Sequence, residues 1–343
     1  MRGVGGFGAS NGCRVTAYRL ICAPLTAVRS KLLLLVCCAL ACALAADPKP
    51  HLTFGVLRAD GLLVPFASYD GGWSVPWPTS LRNLTLPISL RDVDSKWWGA
   101  AGPDAPWTAA LTGGARRPLK LEALRQLHIF CTARIGVQTD YRGAPTAPDD
   151  PTVPKDGLAV AGDGAAILPI EHVAKNSPDW TAMTRAIAEK FNNAEKVAAG
   201  GFTNWKHPLK PEQRRTYPIQ LEGFYRSSEQ TNRGAWRVSY VEAVRSFPPR
   251  PEDKGCGLIT YAYGWAIERE GHDPRIELQA RVTYCDREGV SFMQPLGRFS
   301  LGGEAYWAYQ MSSWRDEAYV VSRMRPNDVA PVIVAEGGDC PRK

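Results

Sequence analysis

The 343-residue chain is poor in the residues from which most active sites are built. It has only five His (His51, His128, His172, His207 and His272), and none falls at the spacing of an H-E-x-x-H zinc site; Glu171-His172 is merely an adjacent dipeptide. Beyond residue 45 no two Cys stand at C-x-x-C spacing, which removes the zinc-ribbon and thioredoxin patterns. No P-loop or dinucleotide fingerprint occurs. Asp92-Val93-Asp94 opens like a calcium loop, but Lys96 occupies the next ligand position and no Gly follows at the sixth. Thus no metal site and no cofactor is implied.

Apolar runs are equally scarce. The single long one spans fifteen residues, Leu32 to Ala46. That is short of the roughly 20 residues needed to cross a bilayer. Arg29 and Lys31 precede it, Ala43-Leu44-Ala45 closes it, and polar Asp47-Pro48-Lys49-Pro50 follows. A basic n-region, a short apolar h-region and an A-x-A site predict a secretory signal peptide cleaved near Ala45 or Ala46. Val28, directly before Arg29, offers an alternative translation start that would give a leader of ordinary length. A lipoprotein reading of Cys42 lacks the usual Leu three residues earlier, where Ala39 stands. Gly8-Ala9-Ser10-Asn11-Gly12 matches G-x-S-x-G, but in the leader it lacks the strand-turn-helix setting of a nucleophile elbow.

Cleavage changes the charge argument. It removes Arg2, Arg14, Arg19, Arg29 and Lys31 and no acidic residue, lowering the formal charge from +7 to +2. The basic balance belongs to the leader and gives no footprint for nucleic acid. Nothing after the leader is apolar enough to span a membrane.

Four Cys remain after cleavage: Cys131, Cys256, Cys285 and Cys340. An even number in an exported chain points to disulfides. The segments Gly257–Ile267 and Arg275–Cys285 both alternate, and Glu268–Asp273 with Gly271 between them reads as a hairpin loop. Pairing Ile267 with Pro274 sets Trp265 opposite Ile276, Tyr263 opposite Leu278 and Ile259 opposite Val282. The same register sets Cys256 opposite Cys285, within disulfide reach. A Cys256–Cys285 bridge is therefore predicted, with Cys131 and Cys340 left to pair or stay free.

The rest of the chain reads mainly as short strands. Leu52–Arg58 and Leu62–Tyr69 flank Asp60-Gly61, a strong hairpin signal. A weaker echo at Leu158–Ile170, around Asp163-Gly164, hints at a repeated β unit. Leu127–Val137 reads as one alternating strand with Cys131 inward and His128 on the polar face. Further strands are expected at Ala235–Val244, Gly289–Gln294, Ala305–Met311, Ala318–Met324 and Pro331–Ala335. One helix stands out near residues 178–199, with Ser177 as cap, Pro178 and Asp179 in the first turn and Gly200-Gly201 after it. Its apolar face is Trp180, Met183, Ile187, Phe191, Ala194 and Val197. The fold class is mainly β, with antiparallel sheets arranged as a sandwich, barrel or propeller-like body and this one substantial helix. The organisation is a 1–45 signal peptide, a 46–141 β-rich region, a 142–156 Pro-rich linker or loop, and a 157–343 helix plus β meander.

The most distinctive side chains are Trp73, Trp77, Trp97, Trp98 and Trp107, interleaved with Gly and Pro. Exposed on loops, such rings stack on sugar faces while Arg91, Asp92 or Asp94 bind hydroxyls; packed inward, they wedge loops against a sheet. Glu268 and Glu270, at strand spacing near a turn, read as solvated turn charges rather than a glycosidase pair. The leading expectation is an exported, non-catalytic β-rich protein of the cell envelope or medium, with glycan as ligand. Its rivals are a secreted polysaccharide hydrolase and an envelope structural or assembly protein with a protein partner. N-terminal sequencing of the secreted protein is expected to start at Ala46 or Asp47. A tryptic peptide from residues 3–14 of the precursor would overturn a start at Val28.

Overall fold

Asp60-Gly61 turns the chain as its sequence predicts. The Asp60 carboxylate accepts the Leu62 N–H at 3.1 Å, and Gly61 takes φ +84° where a Cβ would meet Tyr141 O at 2.4 Å. From this hairpin a computed structural model builds three antiparallel sheets, describing residues 50–78, 89–144, 153–203, 205–231, 234–251 and 255–340. The predicted leader lies outside the described residues, as does most of the Pro-rich segment. No helix of the described residues is long and apolar enough to cross a membrane.

The sheets follow one another along the chain. The first has eight strands: β1 (His51–Arg58), β2 (Leu62–Asp70), β3 (Trp73–Ser74), β4 (Trp107–Leu111), β5 (Arg116–Leu119), β6 (Leu121–Ile129), β7 (Thr132–Thr139) and β8 (Lys155–Ala161). Their order is β5-β4-β8-β1-β2-β7-β6, with β3 beside β2. Strand β8 sits between β1 and β4, so chain on both sides of the Pro-rich segment enters one sheet. The second sheet comprises β9 (Glu171–His172), β10 (Gln220–Thr231), β11 (Gly234–Ser246), β12 (Leu258–Arg269) and β13 (Arg275–Tyr284), each paired with its neighbour in the chain. The third is a plain meander of β14 (Phe292–Leu301), β15 (Glu304–Ser312), β16 (Asp316–Arg325) and β17 (Asp328–Asp339). Mainly β with one substantial helix, α1 (Pro178–Gly200), the architecture matches the fold class read from the sequence.

Alternation along the meander explains the stacking. Tyr306, Ala308, Tyr319 and Val321 pack with Leu52, Phe54, Val64 and Leu158 of the first sheet. Trp307, Tyr309, Val320 and Met324 pack with Trp236, Val238 and Tyr240 of the second. Beyond these, α1 covers the far face of the second sheet through Trp180, Met183, Ile187 and Phe191. The far face of the first is covered by Trp77, Val93 and Trp98. Each fully buried large side chain in these layers contributes about 1.5–3 kcal/mol.

Two-sided burial corrects the hairpin register. Strand β12 pairs with β13 one residue away from the expected alignment: Ile267 faces Arg275, Trp265 faces Glu277 and Tyr263 faces Gln279. The aromatic stripe of β12 turns toward the third sheet, while Ile276, Leu278 and Ala280 turn toward α1 beside Ala262 and Ala266. Matching apolar with apolar assumes one buried face, and here both are covered. The predicted Cys256–Cys285 bridge nevertheless forms, with Cα atoms 5.4 Å apart. Cys131 bonds Cys340 across 209 residues.

Other expectations are corrected on similar grounds. Residues 127–137 are not one strand: the chain turns at Phe130, φ +54°, and Cys131 is exposed in the turn. Leu127 and Ile129 face one side of the first sheet and Ile135 and Val137 the other. The echo at 158–170 builds no second hairpin; after β8 only an isolated bridge, Leu168 with Arg298, pairs this stretch. On α1, Val197 is 76% exposed and Glu195 is buried instead. Glu195 faces Arg245 at 2.7 Å and Arg214 at 3.2 Å, charges that the apolar periodicity could not reveal. The strand expected from Gly289 starts at Phe292.

At the junction of the first and third sheets a salt bridge is buried. Lys155 Nζ lies 2.9 Å from Glu317 Oε2, with side chains 2% and 1% exposed, and the Tyr319 hydroxyl and Gln310 amide donate to the same carboxylate. Removing one partner strands a charge in the interior. Lys155→Met is expected to cost about 3–5 kcal/mol in urea unfolding with disulfides intact. Adding Glu317→Gln should recover part of that loss.

Candidate functional site

Seven large apolar side chains are more than a third exposed among the described residues, and three of them, Phe202, Tyr284 and Trp314, line one cleft. Its volume is about 760 Å³, in the range of small-molecule sites. One wall is the end of α1, where Gly201 stops the helix and Phe202 and Trp205 follow, their rings edge to face with centroids 4.9 Å apart. The floor is the edge strand β13 from Ala280 to Tyr284. Cys285 N–H donates to Gly257 O, and alternation along the ladder then turns the backbone groups of Ala280 and Val282 away from β12, toward the cleft. The other wall is the β15–β16 turn, Ser313 to Asp316.

This turn is tied down from outside. Ser313 N–H donates to Asp316 O at 2.8 Å, and Cys340 N–H donates to Arg315 O at 2.7 Å. The Cys131–Cys340 disulfide thus holds the segment that presents Trp314, a residue 56% exposed. Arg281 rests its guanidinium on Gly289, where a Cβ would approach Cζ to 2.6 Å. Arg281 and Arg315 form no ion pair among the described residues; Glu288 and Asp316 line the same cleft. Four rings, two guanidiniums and two carboxylates around free backbone groups offer flat apolar faces beside paired donors and acceptors.

The tryptophans singled out in the sequence lie elsewhere, mostly inward. Trp77, Trp98 and Trp107 are 1–2% exposed, so their ring faces are spent on packing; Trp97 and Trp73 are half-buried. Trp97 and Trp98 stand in a 3-10 segment, Ser95–Ala101, not an extended one. Gly99 there takes φ +67°, where a Cβ would lie 2.5 Å from Ser68 Oγ. Trp77 packs edge-on against Trp97 and Trp98 and donates its Nε1–H to Ile135 O. Trp73 joins Phe54, Tyr69, Phe299 and Tyr306 between the first and third sheets. Sequence reading missed Phe202, Trp205, Tyr284 and Trp314, since they come from three separate segments. The one available signal was Trp314 inside a polar turn.

Beside the cleft, the Asp286–Gly289 turn sends Arg287 inward, at φ +64°, to grip Glu222 bidentately at 2.7 Å. Behind this pair Glu242 is buried against Tyr240 and Tyr261, whose own hydroxyls are pushed up by burial first and then by its charge. Burial pushes the Glu242 carboxyl up to about 7, with Glu222 adding to the rise; the Met293 N–H, donated at 2.7 Å, and Arg287 work against it. His207 is held below the ordinary imidazole value, first by burial and then by Arg214, and its Nδ1 accepts the Leu209 N–H. Among the described residues no group of three His, Cys, Asp or Glu is placed to hold a metal. No protein-family model, curated protein or solved structure matches this chain.

The Glu242 carboxyl makes stability depend on pH. Between about pH 4.5 and 7 the native protein keeps a proton that the unfolded chain has released. Its stabilising contribution is therefore complete below pH 4.5 and lost as pH rises to 7, on the order of 3 kcal/mol in all. Glu242→Gln should flatten the stability profile across that window in urea unfolding.

Proposed function

We propose that this is an exported, non-catalytic β-rich binding protein that holds a saccharide in the cleft between Phe202, Tyr284 and Trp314. The observation carrying this reading is three exposed rings gathered on one cleft with Arg281 and Arg315, which form no ion pair among the described residues. Exposed rings stack on the C–H faces of pyranoses, and a guanidinium or carboxylate reaches two vicinal hydroxyls at once. The N-terminal signal pattern and two disulfides support export to an oxidising compartment. The same features support a cell-envelope or extracellular location. The rival hydrolase reading draws on one observation, that Glu288 and Asp316 share the cleft.

The test follows Trp fluorescence and released reducing ends together, with the mature protein on a panel of envelope and plant polysaccharides. A saturable fluorescence change without product is expected. Trp314→Ala and Tyr284→Ala should each weaken it about tenfold, or ~1.4 kcal/mol, without lowering Tm. Product release abolished by Glu288→Gln or Asp316→Asn would replace binding with hydrolysis. No response to any polysaccharide, with a defined oligomer in solution, would sink the saccharide reading in favour of a protein partner.

A further inference from the structure

A second cavity, of about 520 Å³, lies in the aromatic layer over the far face of the first sheet. Leu90, Val93, Leu119 and Leu121 line it together with Trp98 and Trp107. Both tryptophans are at least 98% buried, and neither Nε1–H has a hydrogen-bond partner among the described residues. Buried N–H groups are almost always paired, because an unpaired one forfeits its hydration with nothing in return. The same layer shows the paired alternative, Trp77 donating to Ile135 O at 2.9 Å. Four buried indole N–H groups lack partners among the described residues, those of Trp73, Trp98, Trp107 and Trp236, and two of these four tryptophans line one cavity.

The charged lining is one guanidinium and one carboxylate. Arg91 is exposed, lines the cavity and forms no ion pair among the described residues. Asp104 also lines it, and its carboxylate repels a dianion more strongly than a monoanion. We propose that this cavity binds a small apolar monocarboxylate, whose oxygens accept the indole N–H groups of Trp98 and Trp107 while Arg91 balances its charge. The aliphatic side chains then cover the ligand's apolar body. This site is separate from the saccharide cleft and uses the indole edges, the ring faces being committed to packing.

The probe is sodium octanoate, titrated into protein carrying ¹⁵N-labelled indoles, with 1-octanol in a parallel series. Octanoate is expected to shift the Trp98 and Trp107 Nε1–H resonances saturably, leaving Trp314 unmoved, and octanol to bind at least tenfold more weakly. Trp98→Phe and Trp107→Phe assign the two signals; should one fail to fold, the surface variant Arg91→Gln provides the independent check. It should weaken octanoate about tenfold at unchanged Tm. Static Trp98 and Trp107 resonances at millimolar octanoate would overturn the site. So would equal shifts at Trp314, or full affinity in Arg91→Gln.

Discussion

The four strands from Phe292 to Asp339 carry large apolar side chains on both faces, and neither face can stay in water. Trp307 and Tyr309 need one cover, Tyr306 and Tyr319 another. The eight-stranded sheet supplies one and the five-stranded sheet the other, so the meander is sandwiched although it comes last in the chain. Each covering sheet then has an outer face of its own to bury, which α1 and the tryptophan-rich segment fill. Satisfying one doubly apolar sheet thus propagates outward through every layer.

Charges inside this stack are held by partners from distant parts of the chain. Lys155 and Glu317 are 162 residues apart and meet between sheets; Glu195 meets Arg245 and Arg214 under the helix. Such pairs add little net stability over apolar packing, yet breaking one leaves a charge that no water can reach. They disfavour any sliding of one layer past its neighbour, because a shift would separate the partners. Glu242 differs, since burial outweighs its Met293 and Arg287 contacts and it keeps its proton toward neutral pH.

Layering also divides the aromatic residues between two tasks. Rings inside layers, Trp98 and Trp107 among them, fill space. Where the end of α1, the free edge of β13 and the Trp314 turn converge, the stack runs out of cover and rings meet solvent. The Cys131–Cys340 bond and the Cys340 N–H to Arg315 O contact secure that last turn to the β6–β7 turn. The cleft is thus a product of where layers end.

Local signals in the sequence determined the Asp60-Gly61 hairpin, the α1 start at Ser177 and Pro178, the strand-rich character, and the proximity of Cys256 to Cys285. Each depends on neighbours in the chain, where period, caps and turn residues act directly. The β12–β13 register, the inward place of Glu195 and the Cys131–Cys340 bond were decided by tertiary structure. Alternation tells which residues share a face but not whether the opposite face is also buried, and β12 is covered on both. The candidate cleft was legible least of all, because Phe202, Tyr284 and Trp314 look like any core aromatics until three separate segments fold together and leave them outside.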